Sequence, residues 1–135
     1  MRRVRADLAG RAAASGSRPR SVLMAHAFVM GGLASESERD IRVGGVDAAP
    51  ANTPAGVDYV ALGHLHGPQA IPFPAAGGAA PRPAPVPVPV LRYSGSPLAY
   101  SFSEMHHHKS TVLLELGPDG VVGTCLLYTS DAADE

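Results

Sequence analysis

Two histidines, His64 and His66, are separated by one residue and follow the apolar run at residues 57–62 and Gly63. Such a run is typical of a buried strand. Side chains at i and i+2 of an extended chain point the same way, about 6.5 to 7 Å apart along the chain. Two imidazoles so placed could share one metal ion, or each could bind one ion of a pair about 3.5 to 4 Å apart. Gly63 is expected to allow an unusual backbone conformation at this strand end.

A third histidine, His26, lies near the end of another apolar run, SVLMAHA, at residues 21–27. This run also has the pattern of a buried strand. Open α/β sheets commonly bind ligands at the carboxyl ends of their strands. A lone histidine there is more often a hydrogen-bonded core residue, and a bare His-x-His occurs by chance. The two features together favour a metal site with His26, His64 and His66 as ligands.

The surrounding pattern predicts a helix, several strands with long loops, and a terminal hairpin. Pro72 to Pro89 is proline-rich and predicts an exposed, extended connection. Asp119-Gly120 is a hairpin turn signal. This order indicates a layered α/β domain with a mixed sheet. The predicted helix is 2–15, and the predicted strands are 21–27, 57–62, 90–94, 98–102, 109–116 and 121–127.

Composition excludes several classes of protein. The formal net charge of −1 gives no global attraction to nucleic acid or membrane. Arginines in the first twenty residues could contact phosphate, although a solvated helix face is the favoured interpretation. The single cysteine, Cys125, excludes an internal disulfide and favours a cytoplasmic location. No apolar run approaches the roughly 20 residues of a membrane span, and Asp7 and Gly10 interrupt any signal-peptide core.

Three stretches resemble one known family. Residues 22–29, followed by Gly31-Gly32, resemble a late metal-ligand motif of the calcineurin-like metallophosphoesterases, and residues 58–66 resemble their Gly-His-x-His motif. The block Arg92-Tyr93-Ser94-Gly95-Ser96-Pro97, with Ser101 to Glu104 and Lys109-Ser110, is similar to the SbcD-type subunits of bacterial DNA exonucleases. The resemblance places residues 1–123 in the C-terminal half of the catalytic domain. Residues 124–135 form a tail that does not resemble the family and has the character of extraneous sequence.

The resemblance implies a fold and an activity. The fold would be part of the layered α/β/β/α metallophosphoesterase fold with mixed sheets, incomplete in this fragment. The parent protein would be a double-strand DNA exonuclease and single-strand endonuclease of DNA repair and recombination, bound to an SbcC-type ATPase. It would use two divalent metal ions, expected to be Mn²⁺. By the same resemblance, His26 and His64 would bind one ion and His66 the other.

The family's earlier motifs are absent from the sequence: Asp-x-His, Gly-Asp-x-x-Asp, and Gly-Asn-His followed by Asp or Glu. Two nearby cations repel strongly without a bridging anion between them. The isolated chain is therefore expected to bind one metal ion weakly or none, and to have no meaningful nuclease activity. Two alternatives stay open: another branch of the metallophosphoesterases, and a non-catalytic metal- or partner-binding module.

Several other polar residues favour a structural role. The tract His106 to His108 predicts a solvent-exposed turn, which Glu104 would help to order. Tyr93 and Tyr100 are expected to pack in the core rather than stack on a base. Ser94 and Ser96 lack the partnered base that a nucleophile requires.

Overall fold

The computed structural model describes residues 1–34, 48–73 and 88–128, which form one α-helix, one 3₁₀-helix and two β-sheets. The mixed α/β character predicted from the sequence is confirmed. The elements in chain order are α1 (Arg2–Ser15), β1 (Val22–His26), β2 (Tyr59–Gly63), β3 (Gln69–Ile71), β4 (Val90–Tyr93), the 3₁₀-helix (Phe102–Glu104), β5 (Ser110–Gly117) and β6 (Gly120–Tyr128).

The larger sheet is mixed, with the strand order β1-β2-β4-β3. Strands β1, β2 and β4 are parallel, and β3 pairs with β4 in the antiparallel sense. Parallel strands are normally covered on both faces, and β2 fits this rule because Tyr59, Val60 and Leu62 are all buried. Because the three parallel strands run the same way, their carboxyl ends lie at one edge of the sheet.

Strand β1 is less buried than its apolar sequence predicts. It is the edge strand next to β2, and its residues alternate between exposed and half-buried. The side chain of Met24 is 82% exposed and that of Val22 is 48% exposed. The prediction of a buried strand is therefore wrong for β1, because strand composition cannot tell whether a second layer covers that face.

The core lies around β2 and β4. Its buried members are Val29, Ala51, Val57, Val60, Leu62, Leu65, Ile71, Leu91 and Tyr93. The helix α1 follows its predicted bounds and ends at Gly16, whose φ of 68° suits a glycine after a helix. None of its residues is buried, and only Met1 at its start and Leu8 pack against the core. No helix in the described ranges has the length and apolar character of a membrane span.

The β5–β6 hairpin forms the second sheet, and Asp58 joins it to the first. The buried Asp58 carboxylate accepts hydrogen bonds from the backbone N–H and the hydroxyl of Ser21, at 2.7 and 2.9 Å, and pairs with Arg18 at 2.7 Å. A Cβ atom at Gly120, in the hairpin turn, would lie 2.9 Å from Asp58 Oδ1. The hairpin turn therefore packs directly against this ion pair.

Burial by itself raises the pKa of Asp58. The hydrogen bonds from Arg18 and Ser21, together with the Arg18 charge, outweigh that effect and hold the pKa below its ordinary value. Asp58 is therefore ionised at neutral pH, and its ion pair with Arg18 lies against the hairpin turn.

Other local predictions had mixed outcomes. The strand predicted at residues 98–102 is wrong: the 3₁₀-helix begins there, and Phe102 is 94% exposed. Strand β3 has only three residues and carries no clear strand signal in the sequence. Residues 74–87 of the proline-rich segment and 129–135 of the tail lie outside the described residues, whereas residues 124–128 continue β6 in register with β5.

Candidate metal centre

His26 and His64 meet at the carboxyl edge of the larger sheet. His26 is the last residue of β1 and pairs in register with Gly63, the last residue of β2, so His64 follows immediately beside it. The two rings are 5.5 Å apart between centroids in an edge-to-face arrangement. Phe28 packs against the His64 ring from another side, at 6.5 Å and 90°. The parallel pairing of β1 and β2 thus brings together two histidines that lie far apart in the chain.

Gly63 provides the space for the His26 ring. A Cβ atom at position 63 would lie 2.9 Å from His26 Nδ1, closer than ordinary side-chain contacts allow. Its φ is not in the left-handed region, so the predicted reason for this glycine is wrong. The residue is needed here because any side chain would displace the neighbouring imidazole.

The unusual backbone conformation belongs to His64 itself, whose φ is 106°. Among the described residues it is the one non-glycine residue with positive φ. Such conformations cost about 1 to 3 kcal/mol and cluster at functional sites. Because His64 is not extended, the predicted common direction of His64 and His66 along one strand does not apply.

Tyr93 restrains the backbone just after His26. This fully buried residue ends β4, and its hydroxyl donates to the carbonyl of Ala27 at 2.7 Å and accepts from the N–H of Val29 at 2.9 Å. Tyr93 is therefore a core residue, as predicted, and it also orders the segment after the first candidate ligand. Tyr100 is exposed, so its predicted core position is wrong.

His66 has a different set of neighbours. Its Nδ1 atom lies 2.8 Å from Glu104 Oε1, and its ring is 5.5 Å from that of Tyr100. Glu104 is buried and also pairs with the buried Lys109, whose Nζ is 2.6 Å from Oε2. Lys109 donates further hydrogen bonds to Ser96 Oγ at 2.8 Å and to the carbonyl of His66 at 3.4 Å.

The sequence interpretation missed this polar cluster, because it placed Glu104 in an exposed turn. Burial is predicted from apolar residues that recur at helical or strand spacing. A glutamate and a lysine five positions apart do not form such a pattern. The similarity of both residues to the SbcD block was the available clue. Of the other weighed residues, Ser96 is held by Lys109, and His106 and His108 are exposed as expected while His107 is half-buried near Gly67.

The chemistry of the site suits a metal ion only in part. Imidazole nitrogen suits ions such as Fe²⁺ and Zn²⁺, whereas Mn²⁺ also favours oxygen ligands, and His26 and His64 are close enough to contribute to one ion. Over residues 1–34, 48–73 and 88–128, however, no group of three or more His, Cys, Asp or Glu side chains is arranged to hold a metal. The donor set therefore fits two ligands of one ion and does not by itself form a two-metal centre.

The site and the sheet define an α/β chain with histidines at the carboxyl edge of its parallel strands. Sequence comparison makes this more specific. The chain is 42% identical over 98 residues to the SbcD subunit of the nuclease SbcCD of Bacillus subtilis, 38% identical over 118 residues to that of Rhodobacter capsulatus, and 33% identical over 96 residues to that of Staphylococcus epidermidis. These alignments cover 72%, 86% and 71% of this chain.

The matches confirm the resemblance noted in the motifs: the chain is homologous to part of the SbcD subunit of SbcCD nucleases. It spans only 22% to 25% of the length of these curated relatives. No protein-family model matches it.

Proposed function

We propose that this chain is the C-terminal half of the metallophosphoesterase domain of an SbcD-type nuclease subunit. In that context His26 and His64 hold one divalent ion and His66 the other. The observation that supports the proposal most directly is the meeting of His26 and His64 at the edge of a mixed sheet, in a chain homologous to SbcD nuclease subunits. The substrate is DNA, the partner is the SbcC-type ATPase, and the metal is Mn²⁺.

Two bound divalent ions supply charge neutralisation at the scissile phosphate and a water of lowered pKa. Other residues of the chain position the histidine ligands. Parallel pairing of β1 with β2 sets the distance between His26 and His64, and the space above Gly63 admits the first ring. Tyr93 then holds the backbone that leaves the site.

Binding by the chain alone is tested with paramagnetic Mn²⁺. Trace Mn²⁺ broadens the nuclear magnetic resonance signals of nearby groups even when binding is weak. We expect selective broadening around His26 and His64 in the wild type, and its loss in His64→Ala. The matched control is His106→Ala, in the exposed histidine tract. Broadening confined to residues 106–108 would reject the ligand assignment.

Activity is tested in a chimera, because the chain spans about a fifth of its relatives. The matching 98-residue segment of the Bacillus subtilis subunit is replaced by that of this chain. With its SbcC partner, the chimera should cleave linear duplex DNA in the presence of Mn²⁺. His64→Ala should lower the rate by at least about 100-fold, corresponding to about 2.7 kcal/mol, whereas His106→Ala should leave it unchanged. A folded chimera in which His64→Ala keeps full activity contradicts the proposal.

A second candidate, a metal-binding chain without catalysis, describes the chain in isolation. The supporting observation is that no carboxylate joins His26 and His64 in a metal-holding group within the described ranges. The purified chain should therefore leave hairpin and linear duplex DNA intact in Mn²⁺. Mn²⁺-dependent cleavage that His64→Ala abolishes would reject this second candidate.

A further inference from the structure

A buried glutamate and a buried lysine lie behind His66. Glu104 is 1% exposed and Lys109 is 5% exposed, although both residue types are almost never buried unless paired. The carboxylate divides its oxygens between two partners: Oε1 contacts His66 Nδ1 at 2.8 Å, and Oε2 contacts Lys109 Nζ at 2.6 Å. Oε2 also accepts a hydrogen bond from the N–H of Tyr100 at 3.3 Å.

The pair is not explained well by stability alone. Desolvating two charges costs several kcal/mol per ion, on the order of what their attraction returns, so a buried ion pair is weak evidence for stabilisation. What is specific here is the direction of the carboxylate. Its Oε1 lies in hydrogen-bond range of one ring nitrogen of His66, and Lys109 also reaches the backbone carbonyl of the same histidine. Both charged groups thus restrain one residue, at its ring and at its backbone.

The contact determines where the ring proton lies. A carboxylate paired with an ammonium group can only accept hydrogen bonds, and Glu104 Oε2 lies 2.6 Å from Lys109 Nζ. Nδ1 of His66 must therefore be the donor. In the neutral ring the lone pair is then on Nε2, which is the atom that would bind a metal. Histidine ligands in metal sites usually donate their second nitrogen to a carboxylate or carbonyl in this way.

We propose that Glu104 is a positioning residue that fixes His66 in the Nδ1–H tautomer, and that Lys109 and Ser96 hold Glu104 in place. The carboxylate thereby orients Nε2 of His66 as a metal ligand. This inference rests on the proposed function, because it assumes that His66 binds a metal. It assigns a role to Glu104 and Lys109, which belong to the block that resembles SbcD-type subunits.

The first test needs no metal. Long-range ¹H–¹⁵N correlation spectra of the ¹⁵N-labelled chain, in chelator near neutral pH, report which ring nitrogen carries the proton. The His66 signals are assigned by their loss in His66→Ala. We expect the Nδ1–H form in the wild type and a shift toward Nε2–H in Glu104→Ala. Glu115→Ala, which removes a glutamate of β5 outside the cluster, is the matched control and should change nothing.

Two further variants separate orientation from folding. Glu104→Gln keeps the side-chain shape but has one acceptor oxygen, which should face the donors Lys109 and Tyr100 N–H. The amide NH2 should then donate to Nδ1 of His66 and shift the ring toward the Nε2–H form. Lys109→Met should loosen Glu104 and give a mixture of tautomers. The amide signals of β2 and β4 show whether each variant remains folded.

Mn²⁺ titration of the chimera with the Bacillus subtilis subunit, which supplies the rest of that protein, completes the experiment. We expect affinity at His66 to fall about 10-fold in Glu104→Ala, within the range for lost carboxylate partners of histidine ligands. A wild-type His66 in the Nε2–H form overturns the positioning role while leaving the proposed function intact. An Nδ1–H form with no Mn²⁺ effect near His66, but a clear effect at His26 and His64, removes the metal-presenting role of Glu104. No Mn²⁺ effect at any of the three histidines of the folded chimera rejects the proposed function itself.

Discussion

The strained backbone at His64 gives the most quantitative prediction. At φ 106° an alanine keeps the strain of the native residue, whereas a glycine removes it. A glycine lowers stability by roughly 0.4 to 1 kcal/mol, because it increases the entropy of the unfolded chain. Where φ is positive, the strain of a non-glycine residue lowers stability by more than this amount. We therefore expect His64→Gly to be more stable than His64→Ala by about 1 kcal/mol.

The comparison is made by urea denaturation of the two variants, and by thermal melting, where about 1 kcal/mol corresponds to about 4 °C for a chain of this size. Both variants lack the ring contacts with His26 and Phe28, so their difference isolates the backbone effect. His106 provides a control, because it is exposed and its φ is not positive. There the order should reverse, with His106→Gly less stable than His106→Ala by up to about 1 kcal/mol.

Equal stabilities of His64→Gly and His64→Ala, together with the normal order at position 106, would refute this reasoning. His64 would then have an ordinary backbone conformation in solution. If His64→Gly is more stable than His64→Ala, the native backbone at position 64 is strained. The protein then has lower stability at this position, and the strained backbone directs the imidazole toward the neighbouring strand. Such an exchange of stability for geometry is characteristic of functional sites.

Three further predictions concern the site, the join between the sheets and the sheet edge. Gly63→Ala should change the free energy of unfolding by less than about 1 kcal/mol. It should lower Mn²⁺ affinity about 10-fold, because the His26 ring must move by about 0.6 Å or more to clear the new methyl group. Calorimetry of the variant and the wild type measures both quantities, and an unaltered affinity would contradict the packing of that ring over Gly63. Asp58→Asn should lose about 3 kcal/mol at neutral pH, because it leaves polar groups of Ser21 and Arg18 without their charged acceptor. Because the pKa of Asp58 is lowered in the folded state, its contribution to stability is complete above the ordinary pKa of 3.8 and disappears as the pH falls through the lower folded pKa. The urea denaturation curves of wild type and Asp58→Asn should therefore converge in acid. A difference in unfolding free energy that does not change with pH would count against the ion pair. Met24→Lys, at the 82% exposed position on edge strand β1, should reduce aggregation measured by light scattering without loss of stability, and unchanged scattering would show that another surface drives association.

The three histidines differ in how the fold holds them. His26 and His64 depend on strand pairing and on the absence of a side chain at Gly63. His66 depends instead on the buried pair of Glu104 and Lys109. Variants at Gly63 and at Glu104 should therefore affect different histidines. Their assignment as metal ligands stays a prediction.

Local sequence was sufficient for the elements and for the choice of residues. It predicts the helix at residues 2–15, the strand that precedes His64 and the hairpin around Asp119-Gly120, because each depends on periodicity or turn chemistry within a few residues. The similarity of the block from Arg92 to Ser110 to SbcD-type subunits was also evident from the sequence, and the relatives confirm the resemblance.

Tertiary structure decided how those residues are arranged. Parallel pairing placed His26 beside His64, and the backbone turn at His64 separated His66 from the common direction that an extended His-x-His would have. The burial of Glu104 and the exposure of Met24 likewise depend on which distant elements pack nearby. A sequence pattern records the character of each segment, whereas ring distances, ion pairs and covered faces are set by contacts between segments that lie far apart in the chain.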